Sequence, residues 1–390
     1  MEKTFKITYG GWYQRTTLHL SEIYDLFALG SSRLWLDKEK LAKIKESLNL
    51  KEVSRETGYL EFVKAKTTDG ITIRYYEDGL YVLETETDEI PAGQKKLENY
   101  FNTILGPAVS YIFSLGAPTP KELANIAIGH PTVVSVVADE PAALAVDEKN
   151  FGKVYGKISS EGIAVYKTPF YIFVVASSAF SASLDGLVEN LIFFREFKDQ
   201  LERYLNIHRK VWEEISEIKE KRTIPGKEVE NVRGKLDEYQ KTIALISNRI
   251  NQMGSYIRTR RQIAEELKTE KYLVSLFQFK FATLVDTLDY IKEIWKMTGD
   301  YLASAIQNLV EIKSQGTNRS IQSLQVITSI GVIAGIIGYL AKSELPKITV
   351  IGAWYFFLII TITWLLNFFI GKIYQRKKYR LRFGERSKDI

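Results

Sequence analysis

The chain has 390 residues, 26% of them charged and 45% hydrophobic, with a formal net charge of +6 and no cysteine. That length accommodates two or three domains. The missing cysteines exclude disulfides, thiol nucleophiles and thiolate metal sites, and His19, His130 and His208 are too scattered to suggest metal-ligand spacing. Neither a dinucleotide-binding GxGxxG after a strand, a phosphate-binding GxxxxGK[ST], an HExxH nor a GxSxG occurs, so no enzymatic activity is expected.

Phe5, Ile7 and Tyr9 alternate with polar residues before Gly10-Gly11 and Trp12 to Leu20, the pattern of a β-hairpin. Met1 to Gly10 is polar and strand-like, unlike a signal peptide. Ser21 is placed to cap a helix over 22–29, and Asp37 another over 38–48 with Leu41, Ile44 and Leu48 on one face. Tyr59 to Ala65, Ile71 to Tyr76 and Leu80 to Glu86 read as three strands joined through Asp69-Gly70 and Asp78-Gly79. Asp88 to Gly93 reads as a linker, Lys95 to Leu115 as an amphipathic helix, and Lys121 to Ile128 as a short one after Pro118 and Pro120. Val133–Ala138, Val154–Ile158 and Ile163–Ala176 complete the strands. The aromatics of Tyr166 to Phe173 fit either a ligand pocket or a sheet core. An α/β or α+β domain with a mixed sheet is expected over 1–180.

From Ser183 the pattern becomes helical and charged. Leu184 to Lys221 and Glu228 to Leu267 predict two long helices, an antiparallel pair turning at Thr223 to Gly226 over 183–270. A stalk follows over 271–320. Phe277, Phe281, Leu284, Leu288, Ile291, Trp295, Leu302, Ala305, Leu309 and Ile312 recur at alternating spacings of four and three, interrupted by Thr298. That is a coiled-coil seam, and it predicts a helix from about Tyr272 onward, packed against copies of itself or against the preceding pair. Asp286, Asp289 and Glu293 on it fit a solvated face or a regulatory cation site.

Leu324 to Ala341, extended by Ile321 and Ser323, and Ile348 to Gly371 are apolar runs without a charge. About 20 such residues of helix cross a bilayer core, so transmembrane helices are expected over 321–341 and 348–371, joined by Lys342 to Lys347 as a hairpin. The basic tail 372–390, with Lys372, Arg376, Lys377, Lys378, Arg380 and Arg382, marks the cytoplasmic side. Both termini are then cytoplasmic, in a multi-pass protein of the plasma membrane, and no nucleic acid partner is expected.

This arrangement resembles the CorA family of divalent-cation channels. At residue level the resemblance lies in Ser314, Thr317, Asn318 and Leu324 and in the AGIIG run of the first span. It implies a homopentamer in the lipid bilayer whose first spans line one pore, gated by the cytoplasmic domain. Mg²⁺ or another divalent cation is implied as permeant or regulatory ion, with no cofactor and no metal site assigned from the sequence. The family's Gly-Met-Asn triplet is absent. Aligning on Asn318 puts Lys342, Ser343 and Glu344 in its place, and aligning on AGIIG puts Gly338, Tyr339 and Leu340 there. Both registers give nearly one inward face: Asn318, Ile321, Leu324, Gln325, Thr328, Val332, Gly335 and Tyr339, with Lys342 and Glu344 at the mouth. Asn318 and Thr328 suit a hydrated cation, whereas Ile321, Leu324 and Val332 suit an apolar gate. Gly331 and Gly335 also fit close helix packing. Lys342, Glu344 and Lys347 give the outer loop a net positive charge, unfavourable for an approaching divalent cation. Two alternatives stand beside the cation channel. One is an effector channel opened by a nucleotide second messenger, like the CorA-like proteins of type III CRISPR defence. The other is a non-conducting membrane-anchored scaffold.

Overall fold

The computed structural model describes residues 4–14, 20–113, 131–220, 223–340, 350–376 and 378–380, with side chains at only part of 311–340 and 350–376 and none at 219, 220, 223 and 378–380. The short helix expected over 121–128 and the loop carrying Lys342 and Glu344 lie outside the described residues. The chain divides into two compact units, Met1–Ile207 with Leu245–Ile294, and His208–Ala244 with Trp295–Ile390.

The first unit contains a mixed nine-stranded sheet. Strand β1 (Phe5–Trp12) is followed by α1 (Leu20–Tyr24), which widens into a π-turn over Asp25–Leu29 and stops at Gly30 with φ of 62°. In α2 (Lys38–Leu48) the Asp37 carboxylate accepts from the backbone N–H of Glu39 and Lys40, the cap that satisfies otherwise orphaned donors. Leu41 and Leu48 are buried on its inner face. Strands β2 (Leu50–Thr57), β3 (Glu61–Thr67), β4 (Thr72–Tyr76) and β5 (Leu80–Thr87) form an antiparallel meander. Gly70 and Gly79 take φ of 88° and 90° in its two Asp-Gly turns, a conformation open to glycine at little cost. Helices α3 (Ile90–Tyr100) and α4 (Gly106–Phe113), joined by a π-turn, precede β6 (Thr132–Val137). The short α5 (Glu148–Phe151) leads to β7 (Gly156–Ser160), β8 (Ile163–Lys167) and β9 (Tyr171–Ala176). The sheet order is β2-β3-β4-β5-β1-β6-β9-β8-β7, and among the described residues only β6 and β9 pair parallel.

Three local expectations are corrected, and one strand is added. Gly10-Gly11 do not turn the chain: β1 runs through them, opposite Val82 and Tyr81 of β5. A Cβ on Gly10 would sit 2.6 Å from the Tyr81 carbonyl oxygen, and one on Gly11 would strike the Tyr81 ring. The glycines serve close approach inside a sheet. Asp88 to Gly93 is no linker, because Ile90 opens α3 with Pro91 in its first turn, where a missing N–H costs nothing. The run 163–176 is two strands, split at Thr168, whose hydroxyl accepts from the Tyr171 N–H. Strand β2 was not foreseen; it is mostly exposed along its length and forms a polar sheet edge.

Two long helices follow, α6 (Ser181–Glu220) and α7 (Val229–Glu266), then α8 (Glu270–Phe277) and α9 (Phe281–Leu340). The stalk helix therefore starts at Phe281, not near Tyr272. Gln278 takes a left-handed φ of 60° and closes α8 through bonds to the Leu273 and Val274 carbonyls. Neither Gly nor Pro marks this break. It is held by tertiary packing of Phe279 and Phe281, both buried, against Phe194 at ring distances of 6.0 and 4.8 Å. At about 1.5 Å per residue, the 60 residues of α9 extend for about 90 Å.

The seam of α9 is buried within one chain from Phe281 to Leu309. In the first unit Gly254 of α7 faces Leu288, and Phe194 of α6 meets Phe281. In the second unit Gly299 of α9 faces Ile243 of α7, while Trp212 of α6 packs on Tyr301 at 5.3 Å. Thr298, the polar break in the seam, is fully buried, with its hydroxyl 2.8 Å from His208 Nε2. The preceding helix pair thus covers the seam. The chain ends with α10 (Val350–Arg376) and β11 (Lys378–Arg380), which pairs antiparallel with β10 (Thr223–Pro225) at the α6–α7 turn.

Candidate functional site

The eight inward-face positions all lie on α9. At about 100° per residue they occupy a stripe roughly 120° wide. Ile321, Gln325, Thr328, Val332 and Gly335 are exposed. The side chains of Asn318, Leu324 and Tyr339 are not described, and Lys342 and Glu344 lie outside the described residues. Gln322, Ser329, Ile333 and Ala334, off the stripe, are exposed as well, so accessibility in a single chain does not distinguish the stripe from the rest of the helix. No described atom comes within 4 Å of a Cβ built on Gly331, Gly335 or Gly338. The small-residue pattern is therefore not in use for close packing among the described residues of one chain.

Helix α10 shows its apolar side chains outward: Val350 is 78% exposed, Trp354 75% and Trp364 66%. Soluble monomers rarely present such a contiguous apolar surface. Among the described residues, however, no helix is long and apolar enough to cross a membrane, so the transmembrane hairpin remains an expectation from the uninterrupted sequence.

Asp286, Asp289 and Glu293 are exposed on α9, and Asp289 accepts from Lys292 Nζ at 2.8 Å. Among the described residues no group of three or more side chains is placed to hold a metal ion. Tyr166, Tyr171 and Phe173 belong to the sheet core.

Sequence reasoning missed a polar centre in the first unit. Arg260 of α7, 2% exposed, donates from Nε and Nη2 to both carboxylate oxygens of Asp78 at 2.6 and 2.9 Å. Its guanidinium also lies over the rings of Tyr76 and Phe193, at 4.9 and 5.4 Å. Beside it, Tyr76 donates to Glu189 Oε1 at 2.7 Å, and Arg74 bridges Glu189 and Glu84 at 2.9 and 2.6 Å. Lys6 joins Glu84 to Asp185. Burial works to lower the pKa of Arg260, but the charge and hydrogen bonds of Asp78, together with the nearby Glu189, outweigh it in sum and the net shift is upward. Arg74 is raised in the same way, with Glu189 and Glu84 overcoming burial. Burial raises Glu84 despite the opposing pull of Arg74 and Lys6. The sequence contained Asp78 only as a turn residue and gave no sign of its partner 182 positions away.

No family profile matches the chain, and no curated protein does. Among solved structures, the CorA magnesium transporter from Methanocaldococcus jannaschii is similar at 12% identity, over 65% of this chain and 93% of that one, with a TM-score of 0.23. A superposition that loose carries no argument about activity.

Proposed function

We propose that the protein is a membrane ion channel of CorA-like build, in which α9 lines a pore shared by several copies, five by the family resemblance. The supporting observation is the outward apolar surface of α10, where Val350, Trp354 and Trp364 stay mostly exposed among the described residues. It coincides with a 24-residue charge-free run, Ile348 to Gly371, which matches the thickness of a bilayer core. Helix α9 runs without a break from the packed seam into the first apolar run, so movement of the three-helix body reaches that run directly. A divalent cation is the substrate the resemblance favours, entering past the neutral side chains of Asn318, Gln325 and Thr328.

The seam is no longer an argument for self-association, because α6 and α7 already cover it. Oligomerisation in this reading rests on the apolar helices. The test is the mass of the purified protein in detergent, together with ion flux in liposomes at varied Mg²⁺ and with added nucleotides. An assembly of several copies that conducts is expected, and Asn318→Leu should reduce flux severalfold. A monomer or dimer, or an assembly impermeable to every ion with every ligand, overturns the reading in favour of a scaffold.

A further inference from the structure

The segment between α1 and α2 holds an indole out to solvent. Trp35 is 99% exposed, whereas tryptophan is on average among the well-buried residues. The backbone around it is tied down. The buried Glu22 carboxylate accepts from Ser32 Oγ at 2.7 Å and from the Arg33 N–H at 3.3 Å. Ser32 Oγ accepts in turn from the Leu34 N–H at 3.0 Å, and the Asp37 N–H donates to the Tyr111 hydroxyl at 3.3 Å. Leu34 and Leu36, on either side of Trp35, pack onto the core. An anchor displayed on an ordered backbone loses little further freedom when it binds.

The opposite face of the same sheet carries a cleft of about 140 Å³. Tyr59, Leu60 and Phe62 line it from β3 and the turn before it, and Ile263 and Leu267 from the end of α7. Side chains alternate between the faces of a strand. Val63 and Ala65 of β3 belong to the core on which Leu34 and Leu36 pack, while Phe62 belongs to the cleft. Tyr59 is 55% exposed, which leaves the rim reachable. Glu189 and Arg260, beside Asn190 on the same wall, already bind Tyr76 and Asp78, so neither charge calls for an ionic ligand. A cavity of roughly 150 Å³ admits one benzene-sized ring, the size of the six-membered ring of an indole.

We propose that Trp35 of one copy seats its indole in this cleft on a second copy of the chain. Tryptophan anchors that fill a pocket on the partner are among the residues that dominate interfaces. Because the anchor and the cleft occupy opposite faces, two copies cannot return the contact to each other. It runs head to tail, and repeated around an axis it closes a ring. The inference rests on the assembly of several copies proposed above and gives it a contact outside the apolar helices. It does not depend on ion conduction.

The chain has no cysteine, so two introduced thiols report on this contact alone. Arg33→Cys replaces a side chain 76% exposed, two residues from Trp35. Gly58→Cys lies on the cleft wall, where an added Cβ meets nothing closer than 3.8 Å. The full chain carrying both, treated in detergent with a bismaleimide, should give a ladder of covalent species rising to the copy number of the assembly. Either variant alone should stay unlinked. Adding Trp35→Ala should keep the melting temperature, since the indole is uncovered in its own chain, and should weaken the ladder severalfold. Should Gly58→Cys fail to fold, Tyr59→Cys at the exposed rim takes its place. Three results would overturn the proposal: a ladder undiminished by Trp35→Ala; linkage of Arg33→Cys alone, which marks a two-fold contact; or an assembly of several copies that gives no ladder. The last leaves the several-copy reading standing, whereas a monomer in detergent removes both.

Discussion

Arg260 and Asp78 show what a single pair can decide. Both are nearly inaccessible, at 2% and 4% side-chain exposure. Two charges removed from water together are tolerable when their bonds are well formed, but one left alone is not. Asp78→Asn keeps an oxygen for the Leu80 N–H, which the carboxylate now accepts at 3.1 Å, yet strands the guanidinium. A loss of about 3–5 kcal/mol is expected, read as a lower denaturation midpoint. The double variant Asp78→Leu, Arg260→Met should recover most of that loss, and failure to recover would mean that the pair also fixes the β4–β5 turn. At this scale the sequence is least legible. Asp78-Gly79 announces a turn by its residue types, whereas its bond to Arg260 depends on α7 crossing the sheet, and no local pattern encodes that.

At the scale of elements, the heptad seam was readable because burial on one helix face imposes its spacing directly on the residues. What covers that face was not. Leu302 is fully buried, so Leu302→Ala should cost about 2–5 kcal/mol through the cavity it leaves. Thr298→Val should cost only about 1 kcal/mol, the hydroxyl that meets His208 being replaced by a methyl of similar size. Comparable costs for the two, measured by denaturant unfolding, would show that the seam is not packed within the chain. The α2 cap at Asp37 and the meander turns were legible from local chemistry. The turn imagined at Gly10-Gly11 failed because glycine has two uses, positive φ and close approach, and sequence alone does not separate them. The helix expected to run on from Tyr272 fails for the opposite reason: Gln278, a residue with no turn preference, is forced left-handed by the packing of Phe279 and Phe281.

Across the whole molecule, buried tyrosines tie stability to alkaline pH. Tyr76, Tyr81, Tyr100 and Tyr204 are all pushed up by burial, and Tyr13 is raised to about 12. Between about pH 10 and 12 an unfolded chain loses these phenolic protons while the folded chain keeps them. The unfolded state then binds fewer protons, so stability falls as pH rises, by about 1.4 kcal/mol per pH unit for each such tyrosine. Phenolate absorbance from these residues should appear together with loss of helical ellipticity; smooth titration near pH 10 in a folded chain would contradict their burial. The sequence by itself determined the order of parts: a strand-rich domain, long helices, two apolar runs and a basic end. Each of those is written in local periodicity, in capping residues or in hydrophobic length. Only the tertiary structure decided the nine-strand order, the parallel pair β6–β9, the closure of the seam by α6 and α7, and the cleft beside Asn190. Those depend on contacts between residues far apart in the chain, which a linear pattern constrains only through the requirement that every apolar face find cover.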